Sequence, residues 1–208
     1  MSKFYLTVDG VTENAVEIKR SKFIATLAHV EDGEEADAFV RAVRKKYPDA
    51  THNCYAYIAD ERGNEARFSD DGEPGGTAGQ PMLEVLKKQG IVKAAVVVTR
   101  YFGGIKLGAG GLVAAYTDGV AEVIAKAGVR KMTECAVIKF CCGYSDYTAV
   151  DNALARAGAL RGTVEYGEDV DAVWYAETDR AEEMLDLIEA RSTGRVKAEI
   201  AGCVYKPL

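Results

Sequence analysis

Ile91-Val92-Lys93-Ala94-Ala95-Val96-Val97-Val98-Thr99 runs without a break into Arg100-Tyr101-Phe102-Gly103-Gly104-Ile105-Lys106-Leu107-Gly108-Ala109-Gly110-Gly111-Leu112. The first part is a nearly continuous apolar run with a Val bias, the pattern of a strand buried on both faces. Leu112, Ala115, Tyr116, Val120, Val123, Ile124 and Ala127 then recur at helical spacing, and Gly128 closes the predicted helix. Strand, glycine loop and helix in that order form the context of an anion cradle. Gly103, Gly104, Gly108, Gly110 and Gly111 would let backbone N–H groups approach a phosphate, with Arg100 and Lys106 adding charge. The loop is neither a Walker A sequence nor a full G-x-G-x-x-G. The competing reading is structural, a helix packed so closely on a sheet that no Cβ fits.

Upstream, Phe4–Val8, Ala15–Ile18 and Lys22–Val30 have strand character, with Asp9-Gly10 as a hairpin signal, so an antiparallel meander is expected. Ala36, Phe39, Val40, Val43 and Tyr47 give a helical stripe over Glu34–Tyr47, stopped by Pro48. Asn53–Ala59 returns to strand. Phe68-Ser69-Asp70-Asp71-Gly72-Glu73-Pro74-Gly75-Gly76-Thr77-Ala78-Gly79-Gln80-Pro81 is too rich in glycine, proline and acid for a regular element and reads as a loop. Thr77 with Gln80 has the form of a capping box, opening a short helix that ends at Gln89 with Gly90 as its cap.

Downstream of a seam at Gly128–Met132 the order is simpler. Strand Thr133–Cys142, a helix from Ser145 to Gly158, strands Leu160–Tyr166 and Val170–Ala176, a helix opened by Asp179 and Glu182, and strand Arg195–Tyr205 spell βαββαβ. That is the ferredoxin-like arrangement. The expected class is α+β with two domains, residues 1–130 mixed and residues 131–208 ferredoxin-like. Trp174 alternates with Val170 and Ala172 and reads as core.

Composition sets the outer limits. The chain has 208 residues, 48% apolar and 28% charged, which excludes wholesale disorder and collagen-like or low-complexity architecture. Its longest aliphatic run, Ala94–Val98, is far shorter than the ~20 residues of a spanning helix, and Met1–Gly10 lacks the apolar core of a signal peptide. A cytoplasmic protein with no membrane partner is expected. Cys54, Cys135, Cys141, Cys142 and Cys203 are odd in number and form no Cys-x-x-Cys pair, so they read as small buried hydrophobes. No cofactor is implied.

Charge is unevenly spread. Residues 131–208 carry 9 Lys/Arg against 14 Asp/Glu, and residues 1–130 carry 17 against 18. Val85–Thr117 has no acid but contains Lys87, Lys88, Lys93, Arg100 and Lys106. Global charge argues against indiscriminate nucleic-acid binding, whereas this local stretch suits an anion. The acidic loop supplies a second candidate site, His52 with Asp70, Asp71, Glu73 and Thr77. These could serve acid–base chemistry or a divalent ion, or equally a turn and a helix cap. With only His29 and His52 in the chain, a three-histidine metal site is excluded. Ser69 lacks the G-x-S-x-G of a hydrolase nucleophile. One of Tyr101 and Phe102 should face the core, leaving the other free to stack on a base.

Asp70-Asp71-Gly72-Glu73-Pro74-x-Gly76-Thr77-Ala78-Gly79-x-Pro81 followed by Arg100-Tyr101-Phe102-Gly103-Gly104-x-x-Leu107-Gly108-x-Gly110-Gly111-Leu112 resembles the IMPACT/YigZ family, as does His52 before Ala56-Tyr57. The resemblance covers roughly residues 1–128, and the βαββαβ part is similar to the second domain of bacterial members. It implies a first domain like that shared by a small-subunit ribosomal protein and domain IV of elongation factor G, and a second like domain V of that factor. Eukaryotic members restrain a stress-responsive initiation-factor kinase through a separate N-terminal protein-binding domain. That domain is not expected here, because the motif region begins close to Met1. The function expected is therefore non-catalytic and translation-associated, with RNA or a ribosomal surface held by the first domain. The alternative is an enzyme or sensor for a phosphorylated metabolite or nucleotide. A third reading gives the acidic second domain a protein partner.

Overall fold

The computed structural model describes residues 4–208, which divide into two compact units, one of Tyr5–Lys131 and one of Met132–Leu208 with Phe4. In the first, the valine run becomes β6 (Ala94–Tyr101) at the centre of an antiparallel sheet of order β2-β3-β6-β4-β5. Its neighbours are β3 (Ser21–His29) and β4 (His52–Ile58); β2 (Val11–Ile18) and β5 (Ala66–Ser69) form the edges. Val96, Val97 and Val98 are wholly buried because helices cover both faces. Burial of each such side chain is worth roughly 1.5–3 kcal/mol.

Helix α1 (Gly33–Lys46) lies on one face, with Ala36, Val40 and Val43 against Tyr57, Ala95 and Val97. On the other face, Met82, Leu83 and Leu86 of α2 (Gly79–Gln89) and Leu112, Tyr116, Val120 and Ile124 of α3 (Ala109–Ala127) cover Phe23, Ala25, Leu27, Cys54, Ala56, Val96 and Val98. Alternation on the strands therefore feeds two cores, and the strand that serves both has no polar face.

The second unit has the expected βαββαβ order: β7 (Arg130–Cys142), α4 (Tyr144–Arg156), β8 (Leu160–Tyr166), β9 (Val170–Glu177), α5 (Ala181–Arg191) and β10 (Ala198–Pro207). Its strands run β10-β7-β9-β8, every pair antiparallel. Trp174 and Ile138 pack on Val150, Leu154, Met184 and Ile188 of the two helices. No described helix is long and apolar enough to cross a membrane.

Several local expectations are corrected. The meander does not start at β1 (Phe4–Thr7), because β2 pairs with β3 alone and Leu6 instead bridges Ile91 in parallel. The tight turn is one hairpin later, at Lys19-Arg20, both at positive φ (48° and 65°), the geometry of a primed hairpin turn. Phe68 and Ser69, read as the start of the loop, end the edge strand β5 (Ala66–Ser69), paired with β4 from Tyr55 to Ile58. The Thr77–Gln80 capping box does not form; the Thr77 hydroxyl donates to the carbonyl of Pro74 at 2.7 Å. Asp70 serves instead, its Oδ1 accepting from the N–H groups of Ala78 (3.1 Å) and Gly79 (2.8 Å) and its Oδ2 from Gly76 (2.8 Å). In the second unit α4 starts at Tyr144, with Ser145 inside the first turn, and a 3₁₀ turn at Thr178–Arg180 replaces the second capping box.

Asp70→Ala should cost about 2 kcal/mol in urea unfolding, since it strands donors of a helix start. Gln80→Ala, on the exposed side of α2, should stay within about 0.5 kcal/mol of wild type.

Candidate functional site

At the end of β6 the sheet register lines up three side chains on the α2–α3 face. Phe23 and His52 are the direct cross-strand partners of Arg100. Arg100 is only 5% exposed, and a buried guanidinium needs a buried anion. Glu73 from the acidic loop provides it. Arg100 Nη1 donates to Glu73 Oε1 at 2.7 Å, and the Tyr116 hydroxyl of α3 donates to the same oxygen at 2.8 Å. The two motif loops therefore meet, joined by this ion pair. Arg100, expected as a free cation for an incoming anion, is instead committed to Glu73 and to the rings of Phe23 and Phe102, 5.4 Å from each centroid. Its Nε has no hydrogen-bond partner.

The rest of the acidic loop is tied down around this pair. Asp71 sits at positive φ (44°), held by Arg44 Nη2 at 2.6 Å on Oδ1 and by the Asn53 N–H at 2.6 Å on Oδ2. His52 Nδ1 lies 2.8 Å from the Asp71 carbonyl oxygen. A carbonyl only accepts, so Nδ1 carries a proton. His52 Nε2 is then 3.8 Å from Glu73 Oε2, beyond hydrogen-bond range. The Cys54 thiol lies 2.9 Å from the Asp70 carbonyl and 3.4 Å from the Tyr116 hydroxyl. Burial pushes that thiol up to about 12, and burial likewise raises Tyr116. His52, Asp70, Asp71, Glu73 and Thr77 are thus all engaged in positioning the loop. Among the described residues no three His, Cys, Asp or Glu side chains are grouped to hold a metal ion.

The glycine loop divides by cause. A Cβ at Gly103 would meet the Arg20 carbonyl oxygen at 2.0 Å, and the Gly103 N–H donates to Ser21 Oγ at 3.1 Å. Gly103 is therefore pressed on the Lys19-Arg20 turn. Gly104 and Gly108 have φ of +85° and +77°, where a side chain is strained. At Gly111 the obstacle is Leu107 Cβ, 3.0 Å away. Gly110 has neither a positive φ nor any neighbour within 4 Å of a built Cβ. The rim of the loop is open, with Lys106 exposed and Phe102 47% exposed. Tyr101 points to the α1 side, its hydroxyl donating to Asp49 at 2.9 Å.

The sequence did not single out Tyr116, Lys19, Arg20 or Thr51 for this site. Tyr116 was readable only as a helix-stripe residue. Lys19 and Arg20 reach the loop through the β2–β3 turn, which local pattern does not place. Thr51 Oγ1 accepts the Phe102 N–H at 3.0 Å and fixes the exit of β6.

Glu73→Gln and Arg100→Met should each destabilise the protein by about 3–5 kcal/mol, because each leaves a buried charge without its partner. The double variant should lose less than the sum in chemical denaturation. Cys141 and Cys203, expected to be buried like the other three cysteines, are exposed, and alkylation of the native protein should label both. Cys141 should react more slowly, its hydrogen bond to Asp171 raising the thiol. Cys54, Cys135 and Cys142 should be labelled only after unfolding, as mass spectrometry of the digested protein would show.

Residues 19–124 match the family model described as the Impact N-terminal domain, a span that contains both motif loops. The chain is 37% identical over 191 residues to "IMPACT family member YvyE" of Bacillus subtilis, covering 92% of this chain and 88% of that one. It is 43% identical over 142 residues to "IMPACT family member YigZ" of Escherichia coli, covering 67% and 70% of the two chains. "Protein IMPACT homolog" of Dictyostelium discoideum is 41% identical over 101 residues, 47% of this chain but 29% of that one. A solved structure described as "Crystal structure of an hypothetical protein" superposes with a TM-score of 0.63 at 32% identity, covering 97% of this chain and 99% of that one. With a bacterial relative aligned along nearly the whole of both chains and the family domain enclosing the Glu73–Arg100 loops, this chain belongs to the IMPACT family.

Proposed function

We propose that this protein is a non-catalytic, translation-associated regulator whose first unit binds RNA or a ribosomal surface through the rim of the glycine loop. One observation carries the reading: the seating of Gly103 on the Arg20 backbone sets the exposed Lys19-Arg20 turn against the start of the glycine loop, which carries Phe102 and Lys106. None of these three cations has an ion-pair partner among the described residues, and Lys22 follows at the start of β3, in register with Tyr101. A rigid rim of unpaired cations fits a phosphate backbone better than it fits a small-molecule pocket. The neighbouring acids Asp70, Asp71 and Glu73 are held by backbone N–H groups, Arg44, Arg100 and Tyr116, which supports a structural role for that loop and leaves the rim for binding. Family membership adds the resemblance to elongation-factor domains that act on the ribosome.

A second reading, a sensor or enzyme for a phosphorylated metabolite or nucleotide, is favoured by Gly110 alone. That glycine leaves open space over the first turn of α3, whose leading N–H groups have no partner within the helix.

Ribosome co-sedimentation at two salt concentrations separates the two. On the leading reading wild type pellets with ribosomes at low salt and much less at high salt, and Lys19→Gln/Arg20→Gln/Lys106→Gln is lost at both. A salt-independent association, or a triple variant that pellets like wild type, contradicts it. Thermal stabilisation by a nucleotide with no ribosome binding would favour the second reading.

A further inference from the structure

Phe102 is the exposed aromatic at the centre of this rim, and the way it is held points to a particular form of RNA. Its backbone N–H is fixed by Thr51 Oγ1 at 3.0 Å. The Arg100 guanidinium occupies one side of its ring, 5.4 Å from the centroid. That guanidinium is itself immobilised by Glu73, which Tyr116 holds in turn. Nearly half of Phe102 nevertheless remains open to solvent. An apolar ring held open in water by a buried ion pair is a preorganised surface: little rotamer freedom remains to be lost when something flat lies on it. The flanking Gly103 and Gly104 carry no side chains that would shield it. Besides Arg100, the Arg20 backbone lies against Gly103, the next residue, and Lys106 follows four residues on in the same exposed loop.

A flat apolar face in a loop that carries Lys106 and abuts the Lys19-Arg20 turn suits a base with its phosphates, provided the base is unpaired. Along a duplex the base faces are already stacked and only the backbone and groove edges are presented, so Phe102 would find no base face there. We infer that Phe102 is a stacking platform for an unpaired nucleobase, that Lys19, Arg20 and Lys106 hold the adjoining phosphates, and that Arg100 is a positioning residue beneath the ring. The site therefore takes single-stranded or looped RNA in preference to helical RNA. This rests on the reading of the rim as an RNA or ribosome surface and narrows it to one conformation of RNA.

The test measures fluorescence-anisotropy binding of the full chain to a twelve-nucleotide single-stranded RNA and to a blunt duplex of the same sequence, at low salt. Wild type should bind the single strand several-fold more tightly than the duplex. Phe102→Leu should lose about tenfold or more on the single strand and little on the duplex, the range of one base–aromatic stack. Phe102→Trp should keep the preference, and Lys19→Gln/Arg20→Gln/Lys106→Gln should lose both RNAs. Phe102→Leu should fold, with the circular dichroism of wild type and melting lowered only slightly by loss of the ring's contact with Arg100, so that lost binding to the single strand is not lost folding. If Phe102→Leu binds both RNAs like wild type while the triple Gln variant does not, the platform is overturned and the electrostatic rim stands. If the triple variant also binds like wild type, or neither RNA binds and ribosomes do not pellet the protein, the underlying reading falls as well. Ribosome binding without affinity for either RNA would overturn the platform in favour of a protein surface.

Discussion

The Glu73–Arg100 ion pair is the interaction on which the first unit's surface depends. A guanidinium at the end of a central strand, with a ring against it from the neighbouring strand, cannot stay buried without an anion. The chain supplies one by folding the acidic loop back over the sheet end, where Glu73 meets Arg100. Once it does, Asp70 comes into place to cap α2, Asp71 to join Arg44 to the backbone of β4, and Tyr116 to tie α3 to the same carboxylate. The loop is thus held by charge and hydrogen bonds at every turn, although its own sequence favours no regular structure. The glycine loop is held from the other side, through Phe102 on Arg100 and Gly103 on the β2–β3 turn.

This arrangement separates two kinds of residue within the same motifs. His52, Asp70, Asp71, Glu73, Thr77, Arg100 and Tyr116 face inward and satisfy one another. Phe102, Lys106, Lys19 and Arg20 face outward. The inward set resembles a catalytic cluster in composition, but its geometry commits most of its polar atoms, Arg100 Nε and His52 Nε2 being the exceptions. The carboxylates of Asp70 and Asp71 accept backbone N–H groups, and the Nδ1 proton of His52 is given to a carbonyl. What such a cluster does is tie the two motif loops and α3 to one carboxylate beneath the rim.

The elements that rest on local pattern were legible in the sequence. The Val96–Val98 run could only be a strand covered on both sides, and the βαββαβ order of the second unit followed from alternating periodicities that each bury one face. What was not legible depends on residues distant in sequence. Asp70 caps a helix nine residues on, so no capping box reports it, and the Thr77–Gln80 pair that has the right spacing is not used. The strand β5 hides in a four-residue segment next to acid and glycine, because an edge strand needs few apolar residues. That the two loops meet follows from β6 lying between β3 and β4, a fact of strand order that no window of sequence contains. The glycines were legible as a cluster, but a clash at Gly103, positive φ at Gly104 and Gly108, and open space at Gly110 look identical as letters.

If one ion pair joins the two loops, disturbing it at one end must be felt at the other. The most direct measurement is amide hydrogen exchange, read by mass spectrometry, on Arg100→Met under conditions where the variant is folded. Residues 70–80 and residues 102–111 should lose protection together, while peptides from the second unit exchange as in wild type. Loss of protection confined to the glycine loop, with the acidic loop unchanged, would contradict the account by showing that the acidic loop holds its shape without Arg100.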